Sequence, residues 1–221
     1  MTSPRQIIRL RVLAAFLAGI ASGLSITVAM VATAPNPAIE TQSTANQGTA
    51  TVEDAPAQNV PIYMQTDERW GGLPYANATL ADSGCGLTCA AMAWSYFSEE
   101  DWTPIDMLNA VGNVYVQEGQ NYMPGFCSWM HEQDATIASS VIYEDMARAL
   151  DDLEGGSLIF AEMQGQLEDG GRSYGGHIFL LTGFDEENVI VHDPCSPYAV
   201  TLSLEQMTCV DWGYFISVWR S

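Results

Sequence analysis

The chain contains no lysine, and three of its seven basic residues, Arg5, Arg9 and Arg11, precede residue 12. From Pro35 onward only four arginines stand against all 27 acidic residues, a net charge of −23. So negative a surface repels phosphate backbones and excludes nucleic-acid binding as an expectation. It suits cationic substrates or a cation-rich cell wall, and equally serves solubility alone. Also missing are internal repeats, a phosphate-cradling glycine motif and any basic patch, so no cofactor is expected. Histidine is scarce, with only His131, His177 and His192.

What the amino end has is an apolar run from Val12 to Ala34 behind those arginines, with no acid before Glu40. Basic residues ahead of such a run mark a signal peptide or an anchor with its positive end inside. Ala32-Thr33-Ala34 offers a cleavage site with Pro35 directly after it, while the run approaches the ~20 residues that span a bilayer, which favours a retained anchor. Residues 35–58 lack aromatics and any helical or strand period, too little apolar surface to offset chain ordering, and read as a linker or stalk. One domain is expected over residues 59–221, extracellular or at the cell surface, with membrane contact only through the amino segment. Five cysteines (Cys85, Cys89, Cys127, Cys195, Cys209) in an exported domain suggest disulfides with one thiol left over. With Cys85 free, the other four allow three connectivities, of which Cys195–Cys209 with Cys89–Cys127 is the favoured one.

Ser83-Gly84-Cys85-Gly86-Leu87-Thr88 reads as a helix start. Ser83 is the expected N-cap, and Leu87, Ala90, Ala91, Trp94 and Phe97 form one apolar stripe at three- and four-residue spacing. Cys85 then lies in the first turn, where unpaired backbone N–H groups and the positive helix end favour a thiolate. Gly84 and Gly86 would leave the backbone open to a substrate carbonyl. Taken alone, Cys85 reads equally as a small buried residue or half of a disulfide.

Thr103 caps a second helix to about Val111, and a third runs from about Tyr143 to Leu153. Val60–Met64 reads as a short strand. After Gly155-Gly156 the period changes, with strands over 157–163, 177–183, 188–193 and 214–219, an α+β arrangement. A loop centred on Asp185 would pair His177 with Asp193, Phe179 with Val191 and Leu181 with Val189 on one face. That makes imidazole and carboxylate neighbours, and a one-residue slip would separate them. His192 would face the other way. Thiol, base and orienter in this order point to nucleophilic thiol chemistry.

These residues resemble the C39-like (peptidase C39 family 2) group of papain-like cysteine peptidases over most of 59–221. The resemblance rests on Val60-Pro61-Ile62-Tyr63-Met64-Gln65 with Asp67 and Trp70, on Ser83 to Gly86, on Gly176-His177-Ile178 with Thr182 to Asp185, and on Asp193-Pro194. It implies a papain-like α+β fold whose nucleophile helix packs on an antiparallel sheet. It also implies a hydrolase with Cys85 as nucleophile, His177 as base, Asp193 as orienter, and Gln65 as an oxyanion donor beside the Cys85 N–H. The sequence departs from the group at Leu87-Thr88-Cys89, where Pro-Thr-Ser is usual.

Two rivals stand beside this reading. A transglutaminase-like acyl transferase uses the same residue order, but Ile178-Phe179 replaces the expected His-x-Trp pattern. A non-catalytic, disulfide-containing surface binding module would require Cys85 to be bridged. Zinc at Cys85 and Cys89 lacks a second closely spaced cysteine pair and is not expected. The aromatics Tyr115, Tyr122, Phe126 and Trp129 are expected in the core rather than along a cleft. Peptide, protein or cell-wall peptide substrates all fit, leader peptides included.

Overall fold

The structure, a computed structural model, describes residues 59–167 and 172–221. The signal or anchor expected at 1–34 and the linker at 35–58 lie outside the described residues. Among the described residues no helix is long and apolar enough to cross a membrane.

Residues 60–64 do not form the expected strand, because their backbone finds no partner strand. Tyr63 N donates instead to Met92 Sδ at 3.4 Å, and Gln65 N to Pro194 O at 2.7 Å. A short hairpin follows, β1 (Pro74–Tyr75) with β2 (Ala78–Thr79), then the four-residue α1 (Leu80–Ser83) and the long α2 (Cys85–Ser98). Gly84, not Ser83, is the N-cap of α2, since the chain completes the α1 turn before starting again. Next come α3 (Pro104–Val111), with the Thr103–Asp106 capping box, and the hairpin β3 (Val116–Gln117) and β4 (Gln120–Asn121). A helix that sequence reading did not place, α4 (Met123–Gln133), follows with β5 (Ile137–Ser139). It carries Phe126 and Trp129 into the core, while Tyr122 just before it is exposed.

The second half holds α5 (Met146–Glu154), β6 (Leu158–Gln166), β7 (Ser173–Asp185), β8 (Asn188–His192), β9 (Val200–Ser203), α6 (Leu204–Cys209) and β10 (Asp211–Arg220). Six strands form one antiparallel sheet in the order β5-β10-β6-β7-β8-β9.

Strand alternation decides what each sheet face carries. Leu158, Phe160, Ile178, Leu180, Ile216 and Val218 pack under α2, while Ile159, Ala161, Phe179, Leu181, Val189 and Val191 pack against Leu150 and Leu153 of α5 and Met207 of α6. Truncating a fully buried ring such as Phe160 to alanine should cost about 3–5 kcal/mol. Inside the sheet, Cys89 Sγ donates to Ile178 O at 3.3 Å and ties α2 to β7.

The β7–β8 register differs from expectation. The turn is Glu186-Glu187, with Asp185 paired to Asn188, and a bulge at Thr182, next to Gly183, leads to Leu181 opposite Val191. Gly183 has φ 147°, a conformation that suits glycine. The net slip is two residues, so Asp193 falls level with Phe179, one same-face step from His177. An even slip preserves the face, and the imidazole and carboxylate still meet.

Candidate active site

Cys85 is the first residue of α2, half-buried, above a Gly84 N-cap that contributes no side-chain cap. Asn121, at the end of β4, donates from Nδ2 to Ser83 O at 2.8 Å and to Cys85 Sγ at 3.6 Å. Its Oδ1 accepts from Tyr75 OH at 2.7 Å, which fixes the amide orientation. Gly86 permits this approach, because a Cβ there would lie 2.5 Å from Asn121 Cβ and 2.7 Å from Met123 Sδ. The glycines beside Cys85 therefore serve packing: a Cβ on Gly84 would strike Leu80.

Bridging sheet and helix, His177 on β7 sets Nε2 against Asp193 Oδ1 at 2.9 Å, both residues about 95 % removed from solvent. The Cys85 and Cys195 thiols both lie close enough to the same imidazole to favour its protonated form. Asp193 is held from three sides, by His177, by Cys195 N to Oδ1 at 2.8 Å, and by Tyr174 OH to Oδ2 at 2.7 Å. The Tyr174 ring also stacks on the imidazole, with centroids 4.3 Å apart and planes 19° from parallel.

Burial works against charge on His177, yet the Asp193 bond and the two thiols outweigh it and push its pKa up to about 11. Burial raises Asp193, and the donors from His177, Cys195 and Tyr174 outweigh it and hold the carboxyl below its usual range. The pair is thus held as imidazolium and carboxylate. His192 behaves in the opposite way: burial lowers it to about 4, against a hydrogen bond to the Pro61 backbone, and its Nδ1 has no partner. His131 Nδ1 bonds Ile137 O at 2.8 Å and belongs to the α4–β5 packing.

Gln65 is buried where its backbone meets Pro194. Its Nε2 donates to Ala81 O at 2.7 Å, leaving the second N–H of that amide for another acceptor, and its Oε1 is unpartnered. All four residues singled out in the sequence are therefore placed: Cys85, His177 and Asp193 meet, and Gln65 joins the 193–194 turn to the segment ahead of the nucleophile helix.

The expected disulfides are absent, and all five cysteines are free thiols. The folded chain sends them apart. Cys89 lies fully buried against Ile178 O, Cys127 is buried with its pKa raised by burial to about 12, Cys195 turns to His177, and Cys209 is exposed on α6. Sequence reading missed Tyr174, Asn121 and Cys195. Only Cys195, two residues beyond Asp193, carried a signal.

No curated protein sequence matches. Among solved structures, one described as a C39-like peptidase from Bacillus anthracis aligns at 15 % identity and TM-score 0.48, covering 74 % of this chain and 96 % of that one. A double glycine motif protease of an AMS/PCAT transporter, solved with a leader peptide, aligns at 15 % identity and TM-score 0.46, covering 75 % and 94 %. The profile of the Peptidase_C39 like family matches residues 57–220, nearly the whole of the folded domain. With that span matched, the chain belongs to the Peptidase_C39 like family.

Proposed function

We propose that this protein is an exported thiol hydrolase that cleaves peptide or amide bonds through Cys85, His177 and Asp193. The observation that carries the proposal is a buried imidazole hydrogen-bonded to the Asp193 carboxylate at 2.9 Å, with the Cys85 thiol at a helix start close enough to favour its protonated form. Because Nε2 is taken by Asp193, Nδ1 is the ring atom left to exchange a proton with Cys85.

In this reading the Cys85 proton resides on His177, and the resulting thiolate attacks the substrate carbonyl. The oxyanion is received by the Cys85 N–H and the free N–H of Gln65 Nε2, where losing one donor costs on the order of 10²–10³ in rate. Imidazolium then protonates the leaving amine, and water, deprotonated by the same ring, hydrolyses the thioester. Asp193, fixed by Tyr174 and the Cys195 amide, keeps the ring aimed throughout. The acidic exported surface favours cationic peptides or cell-wall peptides as substrates.

The test combines turnover of a mixed peptide library with brief iodoacetamide labelling across a pH series. Rapid labelling of Cys85 below pH ~8, where an ordinary thiol is mostly protonated, should be lost in His177→Ala, and cleavage should be lost in Cys85→Ser. Full turnover by Cys85→Ser refutes the proposal. Amine incorporation in place of hydrolysis would move the protein to acyl transfer.

A further inference from the structure

The proposed triad leaves one reactive group at the site without a task, the Cys195 thiol. We propose that His177, Asp193 and Cys195 form a binding site for a thiophilic divalent cation of the zinc class, whose occupancy holds the hydrolase inactive. The inhibitory half rests on the function proposed above, whereas the metal site stands on its own.

Geometry carries the argument. One ligand atom from each of the three residues lies within 4.8 Å of the others. With bond lengths of about 2.0–2.3 Å, tetrahedral zinc places its ligands roughly 3.3–3.8 Å apart. The ion would replace the proton between Nε2 and Oδ1, now 2.9 Å apart, opening that pair by about 0.4 Å while the Cys195 thiol draws in. Imidazole, carboxylate and thiolate together suit zinc and disfavour magnesium or calcium, which take oxygen donors.

The surroundings resemble those of a ligand set held in place. Tyr174 donates to the second carboxylate oxygen and stacks on the ring, and the Cys195 amide fixes the first oxygen. The site is reachable, since Cys195 and Cys85 are both partly exposed. Binding displaces the Cys195 thiol proton and the His177 imidazolium proton to solvent, leaving the ring unable to serve as base or acid.

The experiment uses the full reduced chain carrying Cys85→Ser, titrated with cobalt(II) as a spectroscopic stand-in and with zinc by calorimetry. A near-ultraviolet thiolate-to-cobalt charge-transfer band with tetrahedral d–d bands is expected. Adding Cys195→Ser, or Cys195→Ala with unchanged far-ultraviolet circular dichroism, should abolish the band and weaken zinc at least ~10-fold. No band in the single variant, or a band that survives removal of Cys195, overturns the site. With Cys85 present, Cys195→Ala should raise the zinc concentration that halves cleavage by the same factor, and an unchanged value overturns the inhibitory role. A chain that binds cobalt through Cys195 but cleaves nothing would keep the site and discard the hydrolase, so the two failures are distinguishable.

Discussion

Replacing His192 with glutamine should make the domain less sensitive to mild acid, and the size of the effect follows from burial. In the folded chain His192 is buried with a pKa lowered to about 4, against the ordinary 6.5. A histidine with a lowered folded pKa binds more protons when unfolded, so between those two values stability falls as pH falls. The loss is about 0.2 kcal/mol at pH 7 and about 2 kcal/mol at pH 5, and is complete below pH ~4. His177 has the opposite sign: raised to about 11, its contribution is fully present below pH 6.5 and is lost only as pH rises toward 11. Comparing His192→Gln with the parent at both pH values isolates the first effect. The melting temperature of the variant, relative to the parent, should rise by roughly 4–8 °C between pH 7 and pH 5, at 2–4 °C per kcal/mol for a domain of this size. Scanning calorimetry reads this directly. A difference that does not change with pH would refute the assignment of His192 as a buried neutral histidine. The same variant should still cleave substrate, whereas His177→Gln should not.

Three further outcomes are expected. Tyr174→Phe keeps the ring stacked on His177 but removes a hydrogen bond to a buried carboxylate, an interaction type that contributes about 1.5–3 kcal/mol, so kcat/KM should fall ~10-fold or more. Since that bond lowers the Asp193 pKa, the acid limb of the pH–rate profile should move upward. Asn121→Ala removes the amide donor to Cys85 Sγ and should slow iodoacetamide labelling of Cys85, and because it orphans the buried Tyr75 hydroxyl it should also cost about 1–3 kcal/mol of stability. Gly86→Ala forces the β3–β4 hairpin away from the helix start, which should cost about 1–3 kcal/mol in chemical denaturation and lower activity with it.

Residue order and parity made much of the site legible. Cys85 at a helix start needed only helical spacing, and His177 with Asp193 needed only that any register slip be even. The bulge at Thr182 and the turn at Glu186-Glu187 together produced such a slip. What failed depended on long-range contacts. Tyr174 lies ahead of the strand expected at 177–183, yet β7 extends back to Ser173 because β6 pairs with it there. Asn121 reaches Cys85 from a two-residue strand that has no sequence signature. The disulfide expectation followed from an inferred compartment, and counting thiols cannot show that Cys89 points into the sheet and Cys195 into the triad. The strand expected at 60–64 had the right composition and no partner to pair with.

The Gln65 N to Pro194 O bond joins the chain's entry into the domain to the turn that follows Asp193. Five residues lie between Asn59 and Gln65, so a load pulling on the amino end of the domain, once past the Tyr63–Met92 bond, arrives at Gln65 and the turn after Asp193 before it reaches the sheet. Cleavage in this protein should therefore respond to mechanical tension applied through its amino end, a response that optical-tweezer pulling during turnover can record.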